Sequence, residues 1–460
     1  MLRWVLFCFG CYTLTELACY IRYLKDAATL ASYRTGLPPS FDYAEWTRFF
    51  ADRVRRERAH NPRALLALVS GIFWSRPVTH LHEENVKAML LMMATAREKH
   101  DGPTSDEDAS MADDLVSEVN KAMISIHGHP LLYGKDEQSW IRINNPTTNH
   151  VVQAPVYQPV LLHSTKRIVR AIADELFRKC LRCERFLCDD TGIVYWVRRN
   201  RPVKHGRVLV ILHGLGLGAV PYIPFISTLI SAVRETYSVV IIPEMPMISG
   251  HRARRHDPLG GPFAKLGELR PPYPRSDEIA ESMLTFLRER SGHEITDIVC
   301  HSYGSTIATY LTTHQPNMID KIVFLDPICF FTRNSIFWLD AYRPMSTREI
   351  GLLFLRGQIS RGCKKLSNAL IFGDLDHAHV TRNCTWVMEH VDREKLLGEN
   401  TLLIMGTEDD RVAAEDVASY MAAYNPAVTC HVMRGWRHGR VIFERHSATK
   451  MIAAFLNVDS

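Results

Sequence analysis

A serine stands where a strand gives way to a helix. The apolar run that ends at Cys300 leads through His301-Ser302-Tyr303-Gly304-Ser305 into Ile307, Tyr310 and Leu311 at helical spacing. A one-residue turn of this kind strains the backbone and lifts the Ser302 hydroxyl into the open, and its flanks must be small so that strand and helix can approach. The pattern is G-x-S-x-G with Cys300 in the place of the first glycine. A serine hydroxyl attacks an acyl carbon at neutral pH only if a base takes its proton and a carboxylate orients that base. The strand expected at Thr401–Met405 runs into Gly406–Val412, which holds Asp409 and Asp410, and the strand at Thr429–Met433 runs into Arg434–Gly439, which holds His438. The chain order Ser302, Asp409, His438 suits nucleophile, acid and base in a fold that carries them at successive strand ends. Asp410, and Asp326 at the end of the strand after the serine, are the alternative acids. His431, inside a strand, and His446, in a helical stretch, are the alternative bases. Without such partners Ser302 would be only a helix cap.

Attack on a carbonyl also needs donors for the oxygen that becomes negative. The backbone N–H of Tyr303 supplies one. The second is expected from the loop after an earlier strand, where Arg207–Leu212 is followed by His213-Gly214-Leu215-Gly216-Leu217-Gly218, and Leu215 N–H is the candidate. A phosphate-binding reading of Gly214-x-Gly216 fails at its third glycine, because position 219 is Ala. Nothing implies a metal or an organic cofactor. Cys180, Cys183 and Cys188 include a C-x-x-C pair, but no second pair or His-x-x-x-His completes a zinc set, and the 11 cysteines read mostly as small buried hydrophobes.

The elements that must position these residues begin near residue 191. Ile193–Val197, Arg207–Leu212, Ser238–Ile242, Asp297–Cys300, Lys321–Leu325, Thr401–Met405 and Thr429–Met433 are short apolar strands that alternate with helical patterns such as Ile279, Met283, Phe286 and Leu287. Continuous Val/Ile/Leu runs mark parallel strands covered on both faces, so an α/β domain is expected over 191–460. Phe330–Asn400 lacks a clear strand and reads as a helical cap inserted at about 328–400, rich in Phe, Trp and Leu that could shelter an acyl chain. His251-Arg252-Ala253-Arg254-Arg255-His256 is a basic loop that is either solvated surface or a contact for phosphate groups.

Before the catalytic domain, 31–190 reads as a helical extension. Leu65, Leu66, Val69, Val86, Met89 and Leu90 are at helical spacing, a further helix runs through Ile168, Ile172 and Leu176, and acidic Asp101–Asp114 reads as an exposed loop. Phe41–His60 interleaves aromatics with arginines, as in helices that lie on anionic membranes or dock with a solvated basic face. Residues 1–30 form a hydrophobic segment: Trp4–Tyr12 lacks any polar side chain that would break the run, and apolar character continues to Ile21. Glu16 makes it a poor spanning helix; a signal anchor or monotopic segment is expected, with a cleaved signal peptide or a buried helix as alternatives. A net charge of +5 from 55 basic and 50 acidic residues is too thin for nucleic-acid binding. No pattern bears on the oligomeric state.

The blocks His213–Gly218, Cys300–Ser305, Gly406–Val412 and His438 together resemble the α/β-hydrolase superfamily over roughly 192–460, and Phe324-Leu325-Asp326-Pro327 with Asn383 and Trp386 resembles a eukaryotic branch of it that carries a hydrophobic N-terminus and a helical extension. The resemblance implies a mostly parallel sheet flanked by helices and a serine hydrolase that acylates Ser302 and deacylates with water activated by His438. It implies no substrate. The apolar cap and N-terminus favour a lipophilic or lipid ester, with acyl transfer or thioester cleavage on the same residues, or a non-catalytic binding protein, as the alternatives.

Overall fold

The structure is a computed structural model and describes residues 12–18, 20–21, 43–72, 77–95, 105–136, 160–188, 191–200, 207–245, 248–249, 276–290, 296–330 and 398–457. Most of the expected cap, the basic loop at 251–256 and residues 1–11 lie outside these residues.

One eight-stranded sheet organises the C-terminal part, in the order β1-β2-β4-β3-β5-β6-β7-β8. Its strands are β1 (Glu184–Leu187), β2 (Val194–Arg199), β3 (Arg207–Leu212), β4 (Tyr237–Glu244), β5 (Thr296–His301), β6 (Ile319–Leu325), β7 (Thr401–Gly406) and β8 (Thr429–Met433). β1 pairs antiparallel with β2, and β2 with β4; all later pairs are parallel. The sheet therefore begins at Glu184, before the strand expected at Ile193.

The apolar runs are buried on both faces. In β3, Val208, Val210 and Leu212 join one core with Ile279 and Met283 of α7 (Ser276–Arg290), Ile307 and Leu311 of α8 (Gly304–His314), and Val417 and Met421 of α9 (Ala414–Tyr424). Leu209 and Ile211 point the other way, to Phe225 and Leu229 of α6 (Ile223–Val233) and to Ala448 and Ile452 of α11 (Arg445–Asn457), which follows the short α10 (Arg440–Phe443). Burying each such side chain contributes about 1.5–3 kcal/mol. The parallel strands thus present one common C-terminal edge, where ligands of open α/β sheets bind.

The extension is built from α1 (Tyr43–His60), α2 (Pro62–Ile72), α3 (Glu83–Thr95) and α4 (Asp106–His127), which share a core of Phe50, Val54, Leu65, Val69, Met89, Leu115 and Val119. Phe50, Ala51 and Val54 of α1 pack into this core, and Arg58 pairs with Glu118 at 2.6 Å. The acidic stretch is not a loop from Asp106 onward. Asp106, Glu107 and Asp108 form the first turn of α4, where the helix dipole favours them, and Ser105 Oγ caps it by accepting from Asp108 N–H at 3.1 Å.

α5 (Val160–Glu175) continues in a five-residue π turn, Leu176–Cys180, and packs on the sheet. Phe177 stacks on Trp196 with ring centres 5.0 Å apart. Ile168, Ile172 and Leu176 face outward, because the buried side carries Ala173, Phe177 and the stem of Arg170. Near the N-terminus, residues 12–18 and 20–21 are helical, with Leu14, Leu17, Tyr20 and Ile21 exposed. Among the described residues no helix is long and apolar enough to cross a membrane.

Candidate active site

Ser302 follows β5 directly, and its φ of 50° is the left-handed turn that a strand-to-helix elbow demands. Its N–H is fixed to Leu325 O of β6 at 3.0 Å. Gly304 passes beneath the end of β3, where an added Cβ would lie 2.7 Å from Leu212 O, so the second glycine of the pattern has no substitute. The first position is different: Cys300 is fully buried within the sheet's core, and its Sγ reaches Val323 O at 3.4 Å.

Ser302 Oγ is 2.9 Å from His438 Nε2, and His438 Nδ1 is 2.8 Å from Asp409 Oδ2. Asp409 follows β7, and its carboxylate is fully buried. The other oxygen, Oδ1, accepts the N–H groups of Arg411 at 2.7 Å and Val412 at 3.0 Å. With Oδ1 so occupied, Oδ2 is turned to receive the Nδ1 proton of His438. The remaining lone pair, on Nε2, faces the Ser302 hydroxyl.

The alternatives are placed elsewhere. Asp410 pairs with Arg411 at 3.9 Å, and His431 and His446 are exposed. Asp326 lies beside the site with a φ of 42°, but its Oδ2 accepts the N–H of Gly439 at 2.8 Å, so it holds the backbone after His438 rather than the imidazole. Asp326, Asp409 and His438 offer ligand atoms within 4.8 Å of one another, yet hydrogen bonds already engage these groups. Among the described residues Cys180, Cys183 and Cys188 form no such cluster; Cys180 is exposed and Cys183 buried.

The loop after β3 comes up against the elbow. A Cβ at Gly214 would lie 2.9 Å from each of Ser302 Cβ, His301 Nδ1 and Tyr222 OH. Gly214 N–H donates to Tyr222 OH at 2.7 Å, and Gly216 N–H to Ile248 O at 2.9 Å, so the residue between them, Leu215, is held on both sides. The His213 side chain turns away: Nδ1–H bonds Gly214 O at 2.8 Å, and Nε2 accepts Met245 N–H at 3.2 Å.

The model of the Alpha/beta hydrolase family matches residues 209–451, more than half of the chain. This chain is an α/β-hydrolase. No curated protein sequence matches this hydrolase. Solved structures similar to it include the carboxylesterase CesB of Bacillus subtilis (12% identity over 65% of this chain and 100% of that one, TM-score 0.45) and the naproxen esterase of Bacillus subtilis (14%, 66% and 99%, TM-score 0.43). A meta-cleavage product hydrolase of Pseudomonas fluorescens is also similar (17%, 60% and 97%, TM-score 0.40).

Two side chains at the hydrolase's site carried no role in the sequence reading. Because Tyr222 OH accepts from Gly214, its own proton goes to His301 Nδ1, 2.7 Å away. The His301 proton is then on Nε2, facing Asp326 Oδ2 at 3.8 Å. Burial lowers the His301 pKa below the ordinary histidine value, against the pull of Asp326. A neutral His301 thus ties the elbow to the loop after β3 through Tyr222, while its Nε2 stands near Asp326, which holds Gly439 N–H. Its position next to Ser302 was the available signal; Tyr222 offered none.

Proposed function

We propose that this hydrolase cleaves carboxylic esters through an acyl-enzyme on Ser302, with His438 as general base and Asp409 as its orienting acid, and that the ester is lipophilic. The observation that carries the reading is the hydrogen-bonded path from Asp409 Oδ2 through His438 to Ser302 Oγ, at 2.8 and 2.9 Å. In this scheme the Ser302 proton moves to His438 Nε2 as Oγ bonds to the ester carbon. The carbonyl oxygen becomes an oxyanion, which the N–H groups of Leu215 and Tyr303 receive. The imidazolium, stabilised by Asp409, then protonates the leaving alkoxide as the C–O bond breaks. Water repeats the sequence on the acyl-enzyme: His438 takes its proton, the acid is released, and the proton returns to Ser302.

The lipophilic preference is supported by the apolar composition of the region over 328–400 and by the outward-facing Leu14, Leu17, Tyr20 and Ile21 near the N-terminus. We read that N-terminal segment as a membrane contact that lies in the interface, since amphipathic or short apolar helices bind there without spanning. Hydrolysis of p-nitrophenyl esters of graded chain length tests the proposal. Activity that rises from acetyl to medium or long chains and is lost in Ser302→Ala is expected. A preference for acetyl in detergent would remove the lipophilic reading, and full activity in Ser302→Ala would remove the mechanism.

A further inference from the structure

Glu244, at the end of β4, is buried with only 1% of its surface exposed. A carboxylate so placed is unfavourable unless it is paired and hydrogen-bonded. One of its oxygens accepts Trp196 Nε1–H at 3.1 Å, and the other meets the guanidinium of Arg170. Arg170 comes from α5, outside the family match at 209–451. Its guanidinium sits 5.9 Å over the Trp196 ring, and its Nε is 2.6 Å from Asp174 Oδ1. Burial lowers the Arg170 pKa to about 10, which still leaves it a cation at neutral pH.

The chain just after Glu244 grips the loop expected to hold the oxyanion. Met245 N–H donates to His213 Nε2, and Ile248 O accepts from Gly216 N–H. Glu244 and Ser249 lie so close to Gly218, whose φ is 63°, that a Cβ there would run into both. Ile248 thus holds the loop on the far side of Leu215, and Glu244, whose carboxylate meets Arg170 of α5, closes on Gly218.

We infer that Arg170 is a positioning residue for the reaction: by neutralising Glu244 it fixes the loop 213–218 that carries the Leu215 N–H. The helix before the family match is then part of the catalytic unit. The inference rests on the ester-hydrolase reading, so its test separates the two.

The test compares full-length wild type, Arg170→Met, Glu244→Gln and the double variant, by the rate of fluorophosphonate labelling of Ser302 and by kcat and KM on one p-nitrophenyl ester. Arg170→Met keeps an apolar stem but takes the guanidinium away from the buried carboxylate. It is expected to lower kcat and labelling about 10- to 100-fold with KM changed little, since an oxyanion donor acts mainly in the transition state. The double variant removes both charges of the Arg170–Glu244 pair, leaves only the part-exposed Asp174 without its arginine, and is expected to recover to within about threefold of wild type. The Arg170→Met defect should also shrink as pH falls, because a buried carboxyl without its cation has a raised pKa and becomes neutral. A role in packing alone would give neither the rescue nor the pH dependence. Labelling of Arg170→Met at the wild-type rate, a double variant as slow as Arg170→Met, or a defect constant with pH would each overturn the inference. If Arg170→Met does not fold, the double variant decides: one that folds and labels near the wild-type rate supports the inference, and one that is unfolded or tenfold slow overturns it. No labelling of folded wild type removes the ester-hydrolase reading and this inference together.

Discussion

Asp409→Asn changes one atom and should disable the base without moving it. Asp409 Oδ1 accepts two backbone N–H groups, at 2.7 and 3.0 Å, while Oδ2 accepts from His438. An asparagine has one oxygen to offer. If its NH2 turns to the backbone, two buried N–H donors face another donor, at about 1–3 kcal/mol each, or roughly 2–6 kcal/mol together. The oxygen therefore stays on Arg411 and Val412, and the NH2 points at His438 Nδ1. The imidazole answers by moving its proton to Nε2, which then presents an N–H to Ser302 Oγ and can no longer take the serine's proton. At 1.4 kcal/mol per factor of ten, the 2–6 kcal/mol bias leaves about one molecule in 30 to one in 10⁴ with the working tautomer. Loss of the carboxylate's stabilisation of the imidazolium moves the effect toward the upper end, so kcat should fall about 10⁴-fold. The assay is kcat on a saturating p-nitrophenyl ester, with thermal unfolding to show that the variant is folded. Asp326→Asn serves as the comparison, since an asparagine oxygen can still accept from Gly439 N–H, and it should lose less than about tenfold. If Asp409→Asn keeps more than a tenth of wild-type kcat while Asp326→Asn loses 10³-fold or more, the assignment of the acid is wrong.

Gly214→Ala should lower kcat by about 10²–10³-fold, the loss typical of one oxyanion donor, because its Cβ would press on Ser302 Cβ, His301 Nδ1 and Tyr222 OH at 2.9 Å; steady-state kinetics on a folded variant check it, and wild-type kcat would contradict it. A pH dependence of stability follows from His301. Its folded pKa is lowered, chiefly by burial, so the unfolded chain binds the proton more tightly and stability falls as pH drops through the unfolded value of about 6.5. Chemical denaturation at pH 7.5 and 5.5 should show a smaller loss in His301→Gln than in wild type, and equal losses would refute the assignment.

Most of the sheet was legible because parallel strands buried on both faces carry unbroken apolar runs, as at 208–212 and 322–325. β1 was not. Its Glu184–Leu187 is a largely exposed edge strand, and such a strand needs no apolar run. Ile168, Ile172 and Leu176 marked a helix, but their spacing did not tell that they would be exposed while Arg170 of the same helix meets the buried Glu244. Chemistry read from Ser302, Asp409 and His438 rested on strand ends, which chain order fixes. The contacts of Arg170, Tyr222 and His301 join distant segments, on which no local pattern bears.

In the proposed mechanism the hydroxyl of Ser302 is the activated nucleophile. Treating the full-length protein with a fluorophosphonate and locating the adduct by peptide mass spectrometry tests it most directly. A single adduct on Ser302 that disappears in His438→Ala is the expected result. An adduct on another residue, or labelling of Ser302 that persists undiminished without His438, would contradict it.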